Sequence, residues 1–478
     1  MIDWDLRWMW FWLALTVASI GLAHVLLYKR DPRSAAFWTA LILLVPFVGP
    51  LFYVLFGINV IRRRGRRYRL GLEKRSVIGT LQAVDDRPDS AFTGSEWDKS
   101  LGGTLDRISR LGFTRGNKVD VLRNGDEAMP QMLEAIRSAK HSVNLATYIF
   151  EAKGIGEEFL EALGDAAARG IDVRVIIDDA GTRYSWPPVS RVLRNKGVKV
   201  HHFMPIRRIL RLATMNLRSH RKLLITDGKL GFTGGLNIRE GNMLQRQPPT
   251  PIRDLHFRVE GPVVHQMQSI FAEDWAFCAT DAMEGEKWFP ELTPSGDVGA
   301  VGIPDGPDED IEVMPVAFFA ALSAAGRDVK ILTPYFLPLP TLIWALKLCV
   351  TRGVKVTIVT PAKNNIPPVS WAARTLFPDL LFAGCRIFES PPPFDHSKIF
   401  IIDDEWSFVG STNWDPRSLR LNFEFNLACL DRNLAGRLDD EFQAKLAESR
   451  EVTIKDIEAD SLAVRLRNGV ARLFIPLL

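Results

Sequence analysis

The sequence predicts a duplicated α/β protein in which two lobes, each a mixed sheet between helices, share one pseudo-twofold site behind a membrane anchor of two N-terminal helices. Three observations predict this fold. The chain opens with two long apolar runs, strands then alternate with helical segments twice over, and one eight-residue polar pattern occurs once in each half.

The first 61 residues predict the anchor, with membrane segments at about 8–28 and 36–57. The 21 residues from Trp8 to Tyr28 include no Asp, Glu, Lys or Arg. As a helix rising 1.5 Å per residue they span about 32 Å, enough to cross a bilayer's hydrocarbon. In the second run Pro46, Gly49 and Pro50 predict a kink or a re-entrant bend. A cleaved signal peptide is the alternative for the first run, and the acidic N-terminus disfavours it.

Residues 62–119 read as a basic juxtamembrane segment and a linker. Arg62 to Arg75 holds eight basic residues and one acidic residue, which predicts a cytoplasmic flank in contact with anionic lipids. The net charge of the whole chain is only +4, so the remainder is slightly acidic. This balance disfavours a nucleic-acid-coating surface.

The sequence predicts no metal site and no disulfide. Cys278, Cys349, Cys385 and Cys429 stand singly in apolar contexts, which is typical of thiols in a reducing compartment. The adjacent His201-His202 pair has no third ligand at a suitable spacing.

The duplicated α/β unit predicts a first lobe at 120–290, a second at 310–450 and an amphipathic tail at 451–478. In each half a strand, a helix, an Arg-Gly pair (Arg169-Gly170; Arg352-Gly353) and a second strand follow in the same order. Basic and apolar residues mix in 206–218 and in 462–478, which favours contact with a membrane surface in both places.

The polar pattern is His-x-Lys-x-x-x-x-Asp, and each copy is followed by a glycine-led step that ends in asparagine. On a strand, His and Lys at i and i+2 point the same way, whereas the Asp has the opposite parity and falls in a turn. We therefore expect the Asp chiefly to anchor a turn. The candidate catalytic residues are His220, Lys222 and Asp227 in one half and His396, Lys398 and Asp403 in the other.

This double pattern resembles the signature of the phospholipase D superfamily. The second apolar run, the TGGLN after the first pattern, the RDLHFRVEGP from Arg253 to Pro262 and the NFEFN from Asn422 to Asn426 narrow the resemblance to the bacterial cardiolipin synthases. The resemblance implies two phospholipase D-like α-β-α sandwich lobes. It also implies an enzyme of the bacterial cytoplasmic membrane, multi-pass, with its catalytic part in the cytoplasm.

The activity implied is transfer of a phosphatidyl group from one phosphatidylglycerol to another, which yields cardiolipin and glycerol. By the same resemblance His220 attacks phosphorus to form a phosphohistidine, and His396 acts as acid and then base. Lys222 and Lys398 neutralise the phosphate oxygens without metal or nucleotide. The residues expected in support are Asn237, Asn413 and Ser411, which donate hydrogen bonds, and Asp254 and Glu424, which buttress the histidines.

Two features depart from this picture or stay open. Gly235 stands where the second copy has Ser411, and Asp395 directly precedes His396.

The sequence also leaves other functions open: a hydrolase that releases phosphatidic acid, a membrane-tethered phosphodiesterase or nuclease, or a non-catalytic lipid-binding scaffold. The oligomeric state and the second lipid substrate are not predicted.

Overall fold

The computed structural model describes residues 2–29, 32–57, 96–109, 111–204, 217–279, 281–306 and 313–475. These residues belong to two compact units, a small N-terminal helical unit and a large α/β body. The predicted basic run from Arg62 to Arg75 and most of the predicted amphipathic segment at 206–218 lie outside the described residues.

The N-terminal unit contains three helices, α1 (Ile2–Tyr28), α2 (Pro32–Leu44) and α3 (Val48–Phe52), and then a π-helical turn (Tyr53–Gly57). Most large side chains of α1 and α2 are exposed, which suits a lipid environment, while a small apolar cluster joins the helices.

Only one helix among the described residues is long and apolar enough to cross a membrane, at Trp8–Tyr28. The second predicted segment, 36–57, is a broken helix rather than a single span. Its first helix, α2, ends at Leu44. After the bend Gly49 packs so closely against α2 that a Cβ at this position would lie 2.4 Å from the carbonyl oxygen of Leu41. The chain therefore turns back where Pro46, Gly49 and Pro50 predict a bend.

The large body is built on one mixed sheet of 15 strands, with a separate pair, β7 and β13. In chain order the strands are β1 (Thr114–Arg123), β2 (Ser142–Thr147), β3 (Asp172–Asp178), β4 (Lys199–Phe203), β5 (Leu223–Thr226), β6 (Leu230–Gly234), β7 (Ile252–Arg253), β8 (Leu255–Glu260), β9 (Val298–Asp305), β10 (Asp328–Leu332), β11 (Lys355–Pro361), β12 (Arg386–Ser390), β13 (Phe394–Asp395), β14 (Ile399–Ile402), β15 (Trp406–Gly410), β16 (Glu424–Leu430) and β17 (Arg450–Val452).

The order across the sheet is β17-β12-β11-β10-β14-β15-β16-β9-β1-β8-β6-β5-β2-β3-β4. Counted outwards from the antiparallel β1–β9 pair, the two halves repeat the same connectivity, so the duplication predicted from sequence is a pseudo-twofold relation between two lobes. Central strands such as β2 and β15 are buried along their whole length because helices cover the sheet.

The helices of the body pack on the sheet in each lobe. They are α4 (Glu96–Ser109), α5 (Asn124–Ser138), α6 (Ile155–Ala168), α7 (Val189–Asn195), α8 (Val263–Cys278), α9 (Val313–Ala324), α10 (Pro340–Thr351), α11 (Pro367–Arg374), α12 (Phe377–Ala383), α13 (Pro416–Arg420), α14 (Arg432–Glu448), α15 (Ile454–Glu458) and α16 (Leu462–Leu473). Each lobe has its own apolar cluster between helices and sheet.

Part of the predicted linker at 62–119 belongs to the folded body. Leu101 and Leu105 of α4 are buried in the apolar cluster of the second lobe, and β1 begins at Thr114, ahead of the lobe boundary predicted at 120. The polar, Gly- and Ser-containing composition predicts a linker with one short helix, but it does not predict that this helix joins the core or that β1 begins before residue 120.

Candidate active site

Each pattern histidine directly follows a short parallel contact between the two lobes. Ser219 pairs with Phe423, and Asp395 pairs with Arg253 through β13 and β7. The backbone N–H of His220 donates to the Phe423 carbonyl at 2.8 Å, and that of His396 donates to the Arg253 carbonyl, also at 2.8 Å. Each of the two pattern histidines is therefore held by the backbone of the opposite lobe.

The next residue on each of these crossing segments is an acid that contacts the histidine across the lobe boundary. Nδ1 of His220 lies 3.0 Å from Oε2 of Glu424, and Nδ1 of His396 lies 2.8 Å from Oδ2 of Asp254. Counted along the chain, Asp254 follows His220 and Glu424 follows His396, so the pairing is crossed relative to sequence order. A carboxylate at Nδ1 orients the ring and leaves Nε2 toward the substrate.

The two imidazole rings face one another, with centroids 6.4 Å apart and planes inclined by 83°. Tyr148 lies 5.7 Å from His220 and Tyr335 lies 6.0 Å from His396, centroid to centroid, so each histidine also has an aromatic neighbour. The duplicated halves thus supply one site between them.

An open cavity of about 280 Å³ ends at the two histidines. Its wall combines polar groups with the apolar side chains of Ile149, Ile252, Ile366, Val369 and Phe394, as in many ligand sites. The polar lining residues are Tyr148, Tyr184, Arg218, His220, Asn237, Arg239, Asn242, Asp254, Tyr335, Asn365, His396, Asn413, Asp415, Arg417, Ser418 and Asn422.

The two lysines are buried beside the histidines, and neither belongs to the described residues that line the cavity. Nζ of Lys222 donates to the carbonyl of His220 at 2.7 Å. Nζ of Lys398 lies 3.0 Å from Nδ1 and 3.2 Å from Nε2 of His396. The surroundings of the histidines therefore differ: a lysine crowds the ring of His396, whereas no described residue hydrogen-bonds Nε2 of His220.

Burial dominates the protonation of this cluster. It lowers the pKa of Lys222 to about 7 and that of Lys398 to about 8, against the attraction of the nearby carboxylates. Burial also lowers the pKa of His220, although Glu424 opposes the shift. Two lysines that release protons near neutrality form a site that gains positive charge when an anion enters.

The pKa values of the two acids shift in opposite directions. Burial alone would raise the pKa of Glu424, but His220 and Lys222 more than offset it, so this pKa is lowered and the group is a carboxylate. Burial raises the pKa of Asp254 to about 7 despite Lys398. Burial and both lysines lower the pKa of His396 well below its usual value, so the His396–Asp254 pair resists becoming a buried ion pair.

The asparagines predicted to support the site lie at the cavity, but Ser411 does not. Asn237 and Asn413 line the cavity wall. The hydroxyl of Ser411 is fully buried, accepts from the Phe425 N–H at 3.0 Å and so serves the strand around Glu424 instead of facing the cavity. The carbonyl oxygen of Ser411 lies 3.2 Å from Nδ1 of His220, so Ser411 contacts the site through its backbone and not through the predicted hydroxyl hydrogen bond to a phosphate.

Gly235, the counterpart of Ser411, has a steric reason to be glycine. A Cβ at this position would lie 2.2 Å from Oδ1 of Asp254. The shorter Asp254 carboxylate reaches His396 only by passing through the space that a side chain at 235 would fill. The departure from the second copy therefore follows from having Asp in one lobe where Glu stands in the other.

The two Asp residues of the pattern do not join the histidines. Asp227 accepts from the backbone N–H groups of Lys140, His141 and Ser142 at 2.7–2.9 Å. Asp403 accepts in the same way from the three residues that lead into β10. Both lie at the far ends of β5 and β14, about 16 Å along the chain from the lysines. Their inclusion among the catalytic residues is corrected: they anchor turns.

The carboxylate of Asp395 bonds to groups other than the two pattern histidines. Its Oδ1 accepts from the Ser397 N–H at 3.0 Å, and its Oδ2 pairs with Lys445 of α14. Burial alone would raise the pKa of Asp395, but the contact with Lys445 more than offsets it and the pKa is lowered. Asp395 is thus a buried carboxylate that forms an ion pair with Lys445 next to His396 in the chain.

The sequence predicts Arg218 in an amphipathic patch at a membrane surface near the site, and the structure places it in the cavity wall. It is the last residue of the predicted segment, is 5% exposed and lies beside the buried Asp178. Its position two residues before His220 on an extended segment is the signal that could have found it, since i and i−2 share a face.

The expected absence of a metal site can be examined only in the described ranges, where no group of three or more His, Cys, Asp or Glu could hold an ion. His202, one of the two adjacent histidines, pairs with Asp179 at 2.9 Å.

Comparison with known proteins agrees with this architecture. Residues 132–275 and 318–446 match the family model described as cardiolipin synthase, PLD-like domain, and residues 8–57 match the phospholipase D-nuclease N-terminal model. A cardiolipin synthase of Oceanobacillus iheyensis is 31% identical over 96% of this chain and 97% of its own length. The major cardiolipin synthase of Bacillus subtilis is 31% identical over 97% of this chain and 98% of its own length.

Among solved structures, a phosphatidylserine synthase of Haemophilus influenzae shares the fold, with a TM-score of 0.62 at 15% identity over 79% of this chain and all of that one. The family models cover the N-terminal helices and both lobes, and the relatives match from end to end. The chain therefore belongs to the bacterial cardiolipin synthases of the phospholipase D superfamily.

Proposed function

We propose that this protein is a membrane-anchored cardiolipin synthase that transfers a phosphatidyl group from one phosphatidylglycerol to the glycerol headgroup of another. The observation that carries the proposal is the pair of histidines 6.4 Å apart, each oriented through Nδ1 by an acid of the other lobe. A phosphodiester between these rings meets a nucleophile on one side and a proton donor on the other.

In the first half-reaction Nε2 of His220 attacks phosphorus, and the bond from phosphorus to the glycerol oxygen breaks. The lowered pKa of His220 keeps its imidazole neutral at neutral pH, so the Nε2 lone pair is available. Glu424, as a carboxylate, stabilises the positive charge that develops on the ring. The product of this step is a phosphohistidine, and glycerol leaves with a proton.

His396 supplies that proton and later removes one. Asp254, with a pKa of about 7, shares a proton with the ring, and the ring passes it to the departing glycerol oxygen. In the second half-reaction His396 takes the proton of the incoming hydroxyl while that oxygen forms the new bond to phosphorus and the bond to His220 breaks. Each cycle returns both histidines to their starting state.

Lys222 and Lys398 provide the charge that stabilises the transition state. An entering phosphodiester favours their ammonium forms, so two positive charges appear beside the non-bridging oxygens without a permanently charged buried cluster. Asn237 and Asn413 add hydrogen bonds from the wall of the cavity.

The setting proposed is the bacterial cytoplasmic membrane, with a multi-pass anchor and the catalytic body in the cytoplasm. The long apolar helix at Trp8–Tyr28 supports the anchor. In α16 the side chains of Leu462, Leu466, Val470 and Leu473 are exposed along one helical face, which supports contact of the C-terminal tail with lipid.

A single assay tests the function. Purified protein in mixed micelles receives phosphatidylglycerol alone, with a chelator and no nucleotide. We expect cardiolipin and glycerol in equal amounts, and none from the His220→Ala variant. Phosphatidic acid as the main product would identify a hydrolase instead, and the absence of any lipid product would overturn both readings.

A further inference from the structure

The catalytic groups of the two lobes match, but the residues two positions before the histidines do not. Arg218 precedes His220, and Phe394 precedes His396. Both line the cavity. The residues behind them also differ: β3 ends at the buried Asp178, whereas β11, the matching strand, ends at Pro361. At this pair of matching positions the near-symmetric site therefore has a cation on one side and an aromatic ring on the other.

Arg218 is buried beside Asp178, but its guanidinium keeps a hydrogen-bond donor without a partner among the described residues. Its Nε lies 3.9 Å from Oδ1 of Asp178, beyond hydrogen-bond distance, and Asp178 already accepts from the backbone N–H groups of Ala180 and Ser219. Nη1 of Arg218 is buried and has no hydrogen-bond partner among the described residues. A buried guanidinium donor without a partner is costly unless a ligand completes it, and its planar fork suits a phosphate.

From this geometry we infer that Arg218 binds the phosphate of the acceptor lipid, so that the site selects an anionic glycerophospholipid over a neutral alcohol or water. The inference rests on the proposed function. The acceptor carries its own phosphodiester, separated from the attacking oxygen by the three carbons of a glycerol. Residues i and i−2 on an extended segment are about 7 Å apart, which is comparable to the reach of that glycerol.

On the other flank Phe394 holds the position that matches Arg218, so of these two residues only Arg218 can pair with a second phosphate. Phe394 lies 5.9 Å from His396 and 6.3 Å from Tyr335, centroid to centroid, and these rings form an apolar wall. The product has two phosphates joined by glycerol, one at the histidines and the other at Arg218. This arrangement does not depend on which histidine attacks, because both rings flank the same cavity.

The test uses competition for the phosphohistidine. The intact protein receives phosphatidylglycerol together with ethanol, and cardiolipin, phosphatidylethanol and phosphatidic acid are measured in the same tube. The ratio of cardiolipin to phosphatidylethanol reports only the choice of acceptor, so it is independent of how much enzyme is folded. A general structural role for Arg218 would lower all the products together and leave the ratio unchanged.

We expect the Arg218→Met variant to lower this ratio roughly 10- to 100-fold, the range for losing a charged hydrogen bond to phosphate. Arg218→Lys keeps the charge but not the fork, and we expect an intermediate ratio. This second variant also yields a ratio if the methionine variant does not fold. Arg246→Met, which removes a charge from an exposed pair with Glu158 outside the cavity, serves as the matched control.

An unchanged ratio in both Arg218 variants would overturn the inference while the proposed function stands. A wild-type protein that makes phosphatidylethanol but no cardiolipin would instead overturn the proposed function. An equal fall of the cardiolipin-to-phosphatidylethanol ratio in Arg246→Met would also count against the inference. Loss of any positive charge, and not of Arg218 in particular, would then lower the ratio.

Discussion

Glu424 of the second lobe accepts a hydrogen bond from Nδ1 of His220 in the first lobe at 3.0 Å, and Oδ2 of Asp254 lies 2.8 Å from Nδ1 of His396. Glu424 is a carboxylate, because its pKa is lowered, so Nδ1 carries the proton. Each histidine thus takes its ring orientation from the opposite half of the duplicated chain. Neither lobe contains a complete set of groups without the other.

We predict that Glu424→Gln lowers kcat about 10²- to 10⁴-fold, the range for removing a charged partner from a catalytic histidine. The glutamine keeps the shape and an acceptor oxygen but cannot stabilise a positively charged ring. Steady-state turnover of phosphatidylglycerol measures the effect. Circular dichroism spectra and Tm close to those of the parent exclude unfolding as the cause.

Asp254→Asn provides the companion measurement for the other histidine. Because Asp254 shares a proton with His396, its loss removes the acid of the first step as well as the base of the second. A variant of either acid with parental kcat would contradict the crossed arrangement as a catalytic device.

We predict that Gly235→Ala lowers kcat roughly 10- to 100-fold, since misplacing a catalytic group by about 1 Å has an effect of this size. The added Cβ would lie 2.2 Å from Oδ1 of Asp254, so the carboxylate has to move and lose its contact with His396. Gly436→Ala in α14 is the matched control, because a Cβ there meets no atom within 4 Å. Equal kcat in the two variants would show that Asp254 adapts freely.

Much of the fold could be predicted from sequence because its signals are local. Apolar runs, the alternation of strands with helices and the repeated pattern all depend on residues close together in the chain, and the two-lobed α/β body follows them. The turn role expected for Asp227 and Asp403 came from strand parity alone, and their contacts with backbone N–H groups agree with it.

The features of the site that the sequence does not predict depend on contacts between distant parts of the chain. Glu424 meets His220 across 204 residues, and no spacing in the sequence distinguishes this partner from a nearer acid. Arg218 was read with its apolar neighbours as a surface residue, although its parity with His220 places it on the cavity side.

Asp227→Ala is predicted to reduce stability by about 1–3 kcal/mol, the usual effect of leaving backbone donors without their acceptor. Asp227 also has a positive φ of 52°, which alanine tolerates less well than Asp or Asn. Asp227→Asn keeps the backbone preference and should lose less. Denaturant unfolding gives the free energies, and kcat per folded molecule should stay near the parent value in both variants. A large loss of kcat without loss of stability would return Asp227 to the catalytic set.

The basic limb of the pH profile should report the lysines. With pKa values of about 7 for Lys222 and about 8 for Lys398, both lose positive charge as pH rises through this range. The phosphodiester stays anionic throughout, so kcat/KM is predicted to fall as pH rises above about 7. In kcat the fall should occur at higher pH, because bound phosphate favours the ammonium forms. A kcat/KM that rises from pH 7 to 9 would contradict this assignment.

Which histidine attacks phosphorus can be determined with a donor lipid whose leaving group needs no proton, such as phosphatidyl-p-nitrophenol. If His220 attacks, His396→Asn should still release one equivalent of p-nitrophenol in a burst, because only the second half-reaction needs a base. The phosphatidyl group should then remain on His220, where mass spectrometry of peptides prepared at alkaline pH can locate it. His220→Asn should give no burst. Nε2 of His220, which no described residue hydrogen-bonds, and the lysine close to the ring of His396 favour this order. A burst confined to His220→Asn would reverse it.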